Sequence, residues 1–486
     1  MNLFSTMFNS FNPHIAKHSK KFDVDNSKQI FCGDIKMESL LLKNGLVVTM
    51  NADNEIKLPM DVLVEGGEIV RIDKEIKEKA DEILDCKNQV IFPGFICAHT
   101  HLYSALLRGA PMNILPPTDF TQNLQRIWWP MDEALTLEDA YTSTLYAVYE
   151  LALNGVTAYL DTYSGPNAIE GSLDRISKAT QDVGTRGAVC FEQTERRSQE
   201  EGRRGLEENR RFISQNNPEK TLVYGIYCLH ASFTVSDELM HKTVEYADKT
   251  NSFRTIHTSE GLVDLQHNLE RYGKRTVERL YDEGFLGSRT ALAHAVHINQ
   301  REIDLIAETN TNVAHNPKSN ELNAVGVAQL PEMLEKGINI GVGNDGFIYD
   351  AIENMRTAYL MHKLNHLNPS QVPTPLQVVQ MITINAAQAI GLKDQIGSIE
   401  VGKKGDFVIL DTSALPTPIH EGNVYGHMVY GSFSRRDIKR VVVNGKTIVK
   451  NGIHTSLDAS QVSQQSKDSA IKLWDRLDLT PRVVPL

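Results

Sequence analysis

The chain has 486 residues, of which 41% are hydrophobic and 23% are charged, and its formal net charge is −11 at pH 7. This composition is ordinary for a globular protein with a large core, and the acidic balance argues against nucleic-acid binding, which needs a basic face. We therefore expect a small-molecule partner and no nucleic acid. No apolar run approaches the roughly 20 residues of a membrane-spanning helix, so no membrane is expected, and five scattered cysteines without a Cys-x-x-Cys pair favour a reducing, cytoplasmic location.

The two ends of the chain differ from its middle in their pattern of hydrophobic residues. Residues 1–37 show little hydrophobic periodicity and predict a poorly ordered N-terminal extension. Short β-rich runs follow, with hairpin-type turn signals at Asn44-Gly45 and Gly66-Gly67. Similar short β-rich runs recur near the end of the chain, so residues 38–92 and 396–455 are predicted to form one small β-sandwich domain built from both flanks.

Residues 93–395 alternate strands with helices. Thr136 and Asp139 have the spacing of a capping box at the start of one helix, and Gly155 is expected to follow its end. After the opening strand, further strands are predicted at residues 156–160, 187–191, 223–229, 253–256, 290–293, 312–314 and 339–342. Eight strands alternating with helices favour the α/β class and a (β/α)8 TIM-like barrel.

Two points complete the predicted architecture. A doubly wound open sheet is the alternative to the barrel, but no Gly-x-Gly-x-x-Gly fingerprint follows the first strand. Residues 456–486 are predicted to be a C-terminal helix and tail. Their amphipathic part, near Ala459 to Leu477, is expected to pack either on the barrel or on a second subunit.

Polar residues with metal-binding chemistry recur where the predicted barrel strands end. Side chains at i and i+2 of a strand point to the same face, so one strand end offers two imidazoles to one ion. The strand ends carry His99 with His101, His230, His257, His294, His315 and Asp345. Catalytic residues of such barrels collect at this end. We predict one divalent ion, Zn²⁺ with Fe²⁺ as the alternative, and its predicted ligands are His99, His101, His257 and Asp345.

Other residues of the same segments are candidates for catalysis. Glu260 follows His257 by three residues and is predicted to relay protons beside an activated water. His294 is predicted to hydrogen-bond that water or a developing oxyanion, and Asp345 to accept a proton from the water. Cys97 shares the face of the first two histidines, so it is either a ligand or a small buried strand residue. His297 is expected to lie behind the residues that contact the substrate.

These residues, in this order along the chain, resemble the amidohydrolase superfamily, specifically its triazine hydrolase and adenosine-type deaminase group and, within it, the SsnA-type aminohydrolases. The resemblance covers about residues 38–454. It rests on Pro-Gly-Phe-x-x-x-His-Thr-His ending at His101, His257 with Glu260, Ala293-His294-Ala-Val-His, His315-Asn-Pro-x-Ser-Asn, Gly343-Asn-Asp345-Gly and Trp128-Trp-Pro-Met-Asp.

The resemblance implies a single-metal site, because His230 stands where two-metal members commonly carry a carboxylated lysine. It also implies that certain side chains face the substrate, namely His230, Asp132, His315, Asn316 and Asn320, with Ser319 either in the pocket or only in the turn. The implied activity is deamination of a purine-, pterin- or triazine-like heterocycle. Hydrolysis of a cyclic amide without ammonia release is the alternative, and an inactive binding scaffold is a remote one. The resemblance also favours a homodimer.

Two positions depart from the pattern of the resembling deaminases. Gly205 precedes Leu206-Glu-Glu-Asn, where they often carry an arginine, and Asp132 stands where they show a glutamate. Both differences alter the charge or the reach of groups expected to face the substrate. They argue against methylthioadenosine or S-adenosylhomocysteine as substrate.

Overall fold

The computed structural model describes residues 39–479 apart from residues 113, 371 and 432, so the predicted N-terminal extension and the last residues of the tail lie outside the described residues. The strands, in chain order, are β1 (Ser39–Val48), β2 (Ile56–Glu65), β3 (Glu68–Asp73), β4 (Glu82–Asp85), β5 (Gln89–Pro93), β6 (Phe95–Thr100), β7 (Val156–Tyr163), β8 (Arg186–Gln193), β9 (Val223–Gly225), β10 (Tyr227–Ala231), β11 (Arg254–Thr258), β12 (Thr290–His294), β13 (Asn312–His315), β14 (Ile340–Val342), β15 (Phe407–Asp411), β16 (Ile438–Val443), β17 (Lys446–Lys450) and β18 (Ile453–His454).

The α-helices lie mainly between the barrel strands. In chain order they are α1 (Phe120–Asn123), α2 (Trp129–Ala134), α3 (Leu137–Leu153), α4 (Ser172–Val183), α5 (Gln199–Gln215), α6 (Asp237–Lys249), α7 (Leu262–Tyr272), α8 (Thr276–Asp282), α9 (Gln300–Glu308), α10 (Pro317–Leu322), α11 (Leu330–Glu335), α12 (Ala351–His366), α13 (Pro375–Met381), α14 (Ile384–Ala389), α15 (Val424–Val429) and α16 (Ala459–Arg476). None of the helices in the described part of the chain is long and apolar enough to cross a membrane.

One sheet combines strands from both flanks of the chain. Its order is β18-β17-β16-β15-β5-β1-β2-β3, with β4 paired to β1. The join is made by β5 and β15, which run antiparallel from Phe407 opposite Pro93 to Asp411 opposite Gln89. The two predicted β-rich flanks therefore share one sheet, while the boundaries given for the domains stay a prediction.

The predicted turn at Asn44-Gly45 is wrong. Strand β1 continues through both residues, and its register against β2 shifts on each side of Gly45, which marks a bulge. A Cβ at Gly45 would lie 2.5 Å from Ile91 Cδ1, so a glycine is needed for this close approach. The turn predicted at Gly66-Gly67 is confirmed, because it joins the antiparallel strands β2 and β3.

The second sheet is a nearly closed parallel barrel, as predicted. Its order is β14-β13-β12-β11-β10-β8-β7-β6, and β9 with β10 makes the fourth of eight barrel strands. The ends of the sheet meet where Thr100 bridges Asp345 and where His101 N donates to Asp345 O over 2.7 Å. Strands β6 to β14 are buried along their whole length, as expected for a parallel sheet covered by helices.

Two helices on the outside of the barrel follow the sequence predictions. Helix α3 begins after Thr136, whose side chain forms the predicted capping box with Asp139. Gly155 follows it with φ +85°, a conformation that glycine adopts at little cost. Helix α16 packs on the barrel side, where Trp474 Nε1 donates to Leu106 O over 2.8 Å.

A buried ion pair connects the barrel to the other sheet. Arg186, at the start of β8, places Nε 2.7 Å from Asp406 Oδ2 and Nη2 3.1 Å from Asp406 Oδ1. Asn444 adds two contacts, because its N–H donates to Asp406 and its side-chain oxygen accepts from Arg186. This bidentate geometry fixes the two sheets relative to each other.

Candidate metal centre and active site

The barrel fold brings residues with metal-binding chemistry to one point. His99, His257, His294 and Asp345 each present a ligand atom within 4.8 Å of the others, and all four side chains are buried. They come from the ends of β6, β11 and β12 and from the residues after β14. Since the carboxyl ends of the barrel strands meet at one face, residues far apart in the sequence become neighbours.

His101 belongs to the same cluster. Its Nε2 lies 3.0 Å from Asp345 Oδ1 and 3.1 Å from His257 Nε2. His99 Nε2 lies 3.1 Å from the same oxygen of Asp345. The structure thus brings together all four residues that the sequence analysis chose as ligands.

The hydrogen bonds of the two facing imidazoles fix which nitrogens carry protons. His101 Nδ1 lies 2.9 Å from Thr162 O, and His257 Nδ1 lies 2.7 Å from His230 O. Carbonyl oxygens only accept, so both Nδ1 atoms donate, and in the neutral rings the two Nε2 atoms direct lone pairs at each other over 3.1 Å. Lone pairs and a carboxylate converging at about 3 Å repel one another unless a cation lies among them. Without a metal ion a proton on His101 takes that place, because burial opposes its charged form but the Asp345 and Glu192 carboxylates outweigh burial and raise the pKa of His101 to about 10. The donor set therefore fits a divalent metal ion.

Burial supports this assignment. It lowers the pKa of His99 to about 4 and the pKa of His257 well below its usual range, so both imidazoles are neutral at pH 7. A neutral imidazole is the form that binds a metal. The carbonyl partners of His101 and His257 also hold the rings in place, as the supporting hydrogen bonds of metal ligands generally do.

Cys97 is a buried strand residue and does not join the cluster. Its thiol lies 2.8 Å from Asn344 Oδ1 and 3.2 Å from His99 O, so it donates to oxygen acceptors. Burial raises the pKa of Cys97 to about 12. A thiol that keeps its proton is a poor metal ligand.

Glu260 and His294 lie beside the ligand cluster. Glu260 Oε2 is 3.6 Å from His294 Nε2, and Glu260 Oε1 accepts a hydrogen bond from Asn323 Nδ2 over 3.1 Å. Burial raises the pKa of Glu260 to about 7, against the opposing charge of His294. A carboxyl with a pKa near 7 can both accept and donate a proton at neutral pH.

His294 is held as a hydrogen-bond donor. Its Nδ1 lies 3.0 Å from Asn320 Oδ1, and its Nε2 has no hydrogen-bond partner among the described residues. Burial opposes its charged form, but the Glu260 and Asp345 carboxylates outweigh burial and raise the pKa of His294 to about 9. At that pKa both ring nitrogens carry protons, and Nε2 faces the carboxylates of Glu260 at 3.6 Å and Asp345 at 3.7 Å.

Backbone strain is concentrated at these strand ends. Ser259, His294 and Asp345 have φ values of +48°, +72° and +57°. Residues other than glycine adopt this left-handed region at a cost of about 1–3 kcal/mol, and such residues cluster at functional sites. The three strained residues lie at the carboxyl ends of β11, β12 and β14, where the predicted ligands also lie.

A cavity with about 600 Å³ of empty space, part of it open to solvent, lies over the cluster. It is lined by His101, Tyr103, Phe120, Leu124, Trp128, Trp129, Asp132, Glu192, His230, Ala231, Phe233, His257, Glu260, Gly261, Asp264, Asn323 and Asp345. The size and the mixture of aromatic and polar walls suit a small heterocyclic molecule.

One wall of the cavity is the helical cap, residues 120–134. It consists of α1, a π-helical turn at Leu124–Trp128, and α2. The Trp128 ring lies 6.2 Å from the His101 ring and stacks on Phe347 at 5.4 Å. Single π turns inside helices are frequent at functional sites, and this one includes an aromatic side chain of the cavity wall.

Two of the predicted substrate contacts, His230 and Asp132, line the cavity. His230 bonds through Nδ1 to the Thr234 hydroxyl over 2.9 Å. Asp132 Oδ2 is 3.0 Å from Arg196 Nη2, while its Oδ1 has no hydrogen-bond partner among the described residues. Burial raises the pKa of Asp132 to about 6, although Arg196 opposes that rise.

The other three predicted contacts, together with Ser319, lie behind the cluster. His315 Nε2 is 3.2 Å from His362 Nε2, and the amide of Asn316 is buried beside Gly343. Asn320 accepts from His294, and Ser319 Oγ donates to Asp345 Oδ2 over 2.6 Å. None of these four lines the cavity in this structure, so their role as substrate contacts stays a prediction. His297 is half-buried and also does not line the cavity.

Three residues of the site were missed by the sequence analysis. Glu192 ends up 3.5 Å from His101 Nδ1, Arg196 pairs with Asp132, and Asn323 contacts Glu260. Glu192 stands near the end of β8, so the strand-end criterion applied to the histidines would have found it. Arg196 and Asn323 lie in loops at sequence distances of 64 and 63 residues from their partners, and no local pattern marks them.

Comparison with known proteins gives consistent similarities. A model described as "Amidohydrolase family" matches residues 90–448. A 5'-deoxyadenosine deaminase of Methanosarcina barkeri is 33% identical over 448 residues, which are 91% of this chain and 100% of that protein. A 5-methylthioadenosine/S-adenosylhomocysteine deaminase of Thermococcus onnurineus is 33% identical over 418 residues, 85% of this chain and 94% of that protein.

Solved structures share the fold. An adenosine deaminase from Xanthomonas campestris with bound zinc superposes with a TM-score of 0.81 at 23% identity, covering 90% of this chain and 98% of that one. An atrazine chlorohydrolase from Arthrobacter aurescens complexed with zinc gives a TM-score of 0.79 at 21% identity, covering 89% and 100%. At these identities the likeness concerns the barrel and its accompanying sheet.

Proposed function

The chain belongs to the amidohydrolase family, and from that premise we propose that it is a metal-dependent aminohydrolase that removes an amino group from a small nitrogen heterocycle as ammonia. The observation that carries the proposal is the convergence of three imidazoles and one carboxylate beside Glu260, at the floor of a cavity that suits a heterocycle. Relatives named as deaminases of adenosine derivatives support the same reaction class.

The proposed ligands are His99, His101, His257 and Asp345. Zn²⁺ is the proposed ion, with Fe²⁺ as the alternative, because imidazole and carboxylate ligands suit both. Two structural neighbours were crystallised with zinc, which supports the first choice. A divalent ion at this position would supply a water molecule activated for attack at neutral pH.

Glu260 is proposed to move the protons. Its carboxylate takes a proton from the attacking water and delivers it to a ring nitrogen, while the water oxygen adds to the carbon that bears the amino group. The second proton of the water, accepted by Asp345, is passed through Glu260 to the amino nitrogen. The bond from that nitrogen to the ring carbon then breaks and ammonia leaves, so heterocycle and water are converted to an oxo-heterocycle and ammonia. A carboxyl with a pKa of about 7 is suited to both directions of transfer.

His294 is proposed to hold the water and to stabilise the negative charge that develops on it, and Asp345 is proposed to accept a proton from the water. His294 Nε2 lies 3.6 Å from Glu260 Oε2 and 3.7 Å from Asp345 Oδ1, so one donor faces both carboxylates. Such a fixed donor stabilises negative charge that develops on oxygen during attack. Asn320 keeps this imidazole oriented through its other nitrogen.

His230 and Asp132 are proposed to contact the substrate from the cavity wall. Gly205 is buried against Phe191, and a Cβ there would lie 2.8 Å from the Phe191 ring, so a larger side chain at this position lacks room. Arg196 instead approaches the cavity wall and pairs with Asp132. Gly205 does not line the cavity, so the preference for a substrate other than methylthioadenosine or S-adenosylhomocysteine rests on Asp132 alone, and the proposed substrates are purines, pterins and triazines.

A screen for ammonia tests the proposal. Purified protein is stripped of metal, reloaded with Zn²⁺ or Fe²⁺, and incubated with adenosine derivatives, other purines, pterins and triazines. We expect metal-dependent ammonia release in a one-to-one ratio with substrate loss. A ring-opened product without ammonia would favour cyclic amide hydrolysis instead. Fully metal-loaded protein that converts nothing in the panel would count against an enzyme of this class and in favour of a binding scaffold.

A further inference from the structure

Asn323, which follows helix α10, joins three parts of the site. Its Nδ2 lies 3.1 Å from Glu260 Oε1 and 3.1 Å from Ser319 Oγ, and its Oδ1 lies 2.8 Å from Asn123 Nδ2. Asn123 belongs to the helical cap, and Ser319 is the residue that donates to Asp345. The half-buried Asn323 side chain therefore lies between the cap and both carboxylates.

The directions of these hydrogen bonds are set by their chemistry. An ionised carboxylate only accepts, so the amino group of Asn323 must face Glu260, and its carbonyl must face the Asn123 amino group. Ser319 donates its proton to Asp345 over 2.6 Å, which leaves the Oγ lone pairs to accept from Asn323. Donation thus runs from the cap toward Glu260 and Asp345, and each bond polarises the next.

We propose that Asn323 is a positioning residue that holds the Glu260 carboxylate beside His294 and connects it, through Asn123, to the helical cap. The inference deepens the proposed function and rests on the role given there to Glu260. A helical cap held in one position then restrains the Glu260 carboxylate through the side chains of Asn123 and Asn323. A substrate that contacts the cap and holds it in place would therefore also hold this carboxylate in place.

The Asn323 side-chain amide is one of several groups that set the pKa of Glu260. His294 and His101 favour the ionised carboxylate, Asp345 disfavours it, and burial disfavours it most. Removal of the Asn323 donor leaves the buried carboxylate with one hydrogen bond fewer. Hydrogen bonds to charged groups contribute about 1.5–3 kcal/mol, so the pKa of Glu260 is expected to rise by about one pH unit or more without it.

The test compares the wild type with Asn323→Leu, Asn123→Ala and the double variant, all loaded with zinc. The kcat of Asn323→Leu is expected to fall roughly tenfold to a hundredfold, the equivalent of losing one charged hydrogen bond, while KM changes little. Asn123→Ala is expected to cost about threefold, and the double variant should be no worse than Asn323→Leu because Asn123 acts through Asn323. Asn365→Ala, at an exposed position of α12, is the matched control.

A second measurement needs no substrate. Carbon-13 NMR of labelled glutamate carboxyls, with the Glu260 signal identified by Glu260→Gln, reports the pKa of Glu260 directly, and it should be higher in Asn323→Leu than in the wild type. An unchanged pKa or additive effects of the two asparagine variants would overturn the inference. A wild type without ammonia release overturns the proposed function, whereas the NMR result still decides the role of Asn323. Asn323 has φ −86°, so Asn323→Ala is an unstrained second variant should the leucine variant not fold.

Discussion

Replacing Glu260 with glutamine tests both the role of this carboxyl in proton transfer and the cost of its burial to the stability of the protein. Glutamine keeps the shape and can accept the hydrogen bond from Asn323, but it neither takes up nor releases a proton. Positioned general acids and bases contribute about 10²- to 10⁴-fold in rate, or about 3–5 kcal/mol of transition-state stabilisation. We therefore expect kcat/KM of Glu260→Gln to fall by that factor with an unchanged metal content.

The same substitution should stabilise the protein above neutral pH. Burial raises the pKa of Glu260 from 4.5 to about 7. Between these values the unfolded chain ionises this carboxyl and the folded protein does not, so the wild type loses stability as the pH rises through that window. The loss amounts to about 3 kcal/mol above pH 7, at 1.36 kcal/mol per pH unit. The gain in the variant is smaller than this, because the His294 imidazolium loses a carboxylate partner.

The assay is chemical denaturation of the chelated wild type and variant at pH 4.5 and pH 8.5, together with the pH dependence of kcat. The stability difference should be small at pH 4.5 and should favour glutamine at pH 8.5. The wild-type rate should fall as the pH drops below about 7, and the residual rate of the variant should lack that limb. A variant that is as active as the wild type, or less stable at pH 8.5, would refute this account of Glu260.

Three further outcomes follow from the geometry. Asp345→Asn is expected to lower the amount of bound metal by at least about tenfold, as measured by elemental analysis after dialysis. The control variant Cys97→Ser should keep its metal. Equal loss of metal from both variants would show that the cluster is not the metal site. Asp406→Asn leaves the Arg186 guanidinium buried without its ionic partner and should cost about 3–5 kcal/mol of unfolding free energy, and a denaturation midpoint equal to that of the wild type would contradict this. Light scattering is expected to give twice the 54.4 kDa chain mass for a homodimer, and a monomer would refute that prediction.

The regular part of the fold could be predicted from the sequence. Strands and helices alternate with clear periodicity, and Thr136 marks the start of α3 through a contact within four residues. Once eight parallel strands close into a barrel, their carboxyl ends must meet, so His99, His257 and Asp345 could be placed together without a measured distance. Both predictions rest on local patterns and on one geometric rule.

Tertiary structure alone decided the remaining features. Asn44-Gly45 has the composition of a hairpin turn, but pairing of β1 with strands on both sides keeps both residues within one strand and turns the pair into a bulge, with Asn44 at φ +62°. Arg196 and Asn323 reach Asp132 and Glu260 only because separate loops fold over the same barrel mouth. Local sequence encodes the conformation of each loop, whereas the contacts between loops depend on where the whole barrel places them. The chain thus determines its proposed metal-binding residues by their position along the strands, while the surroundings that tune Glu260 arise from packing.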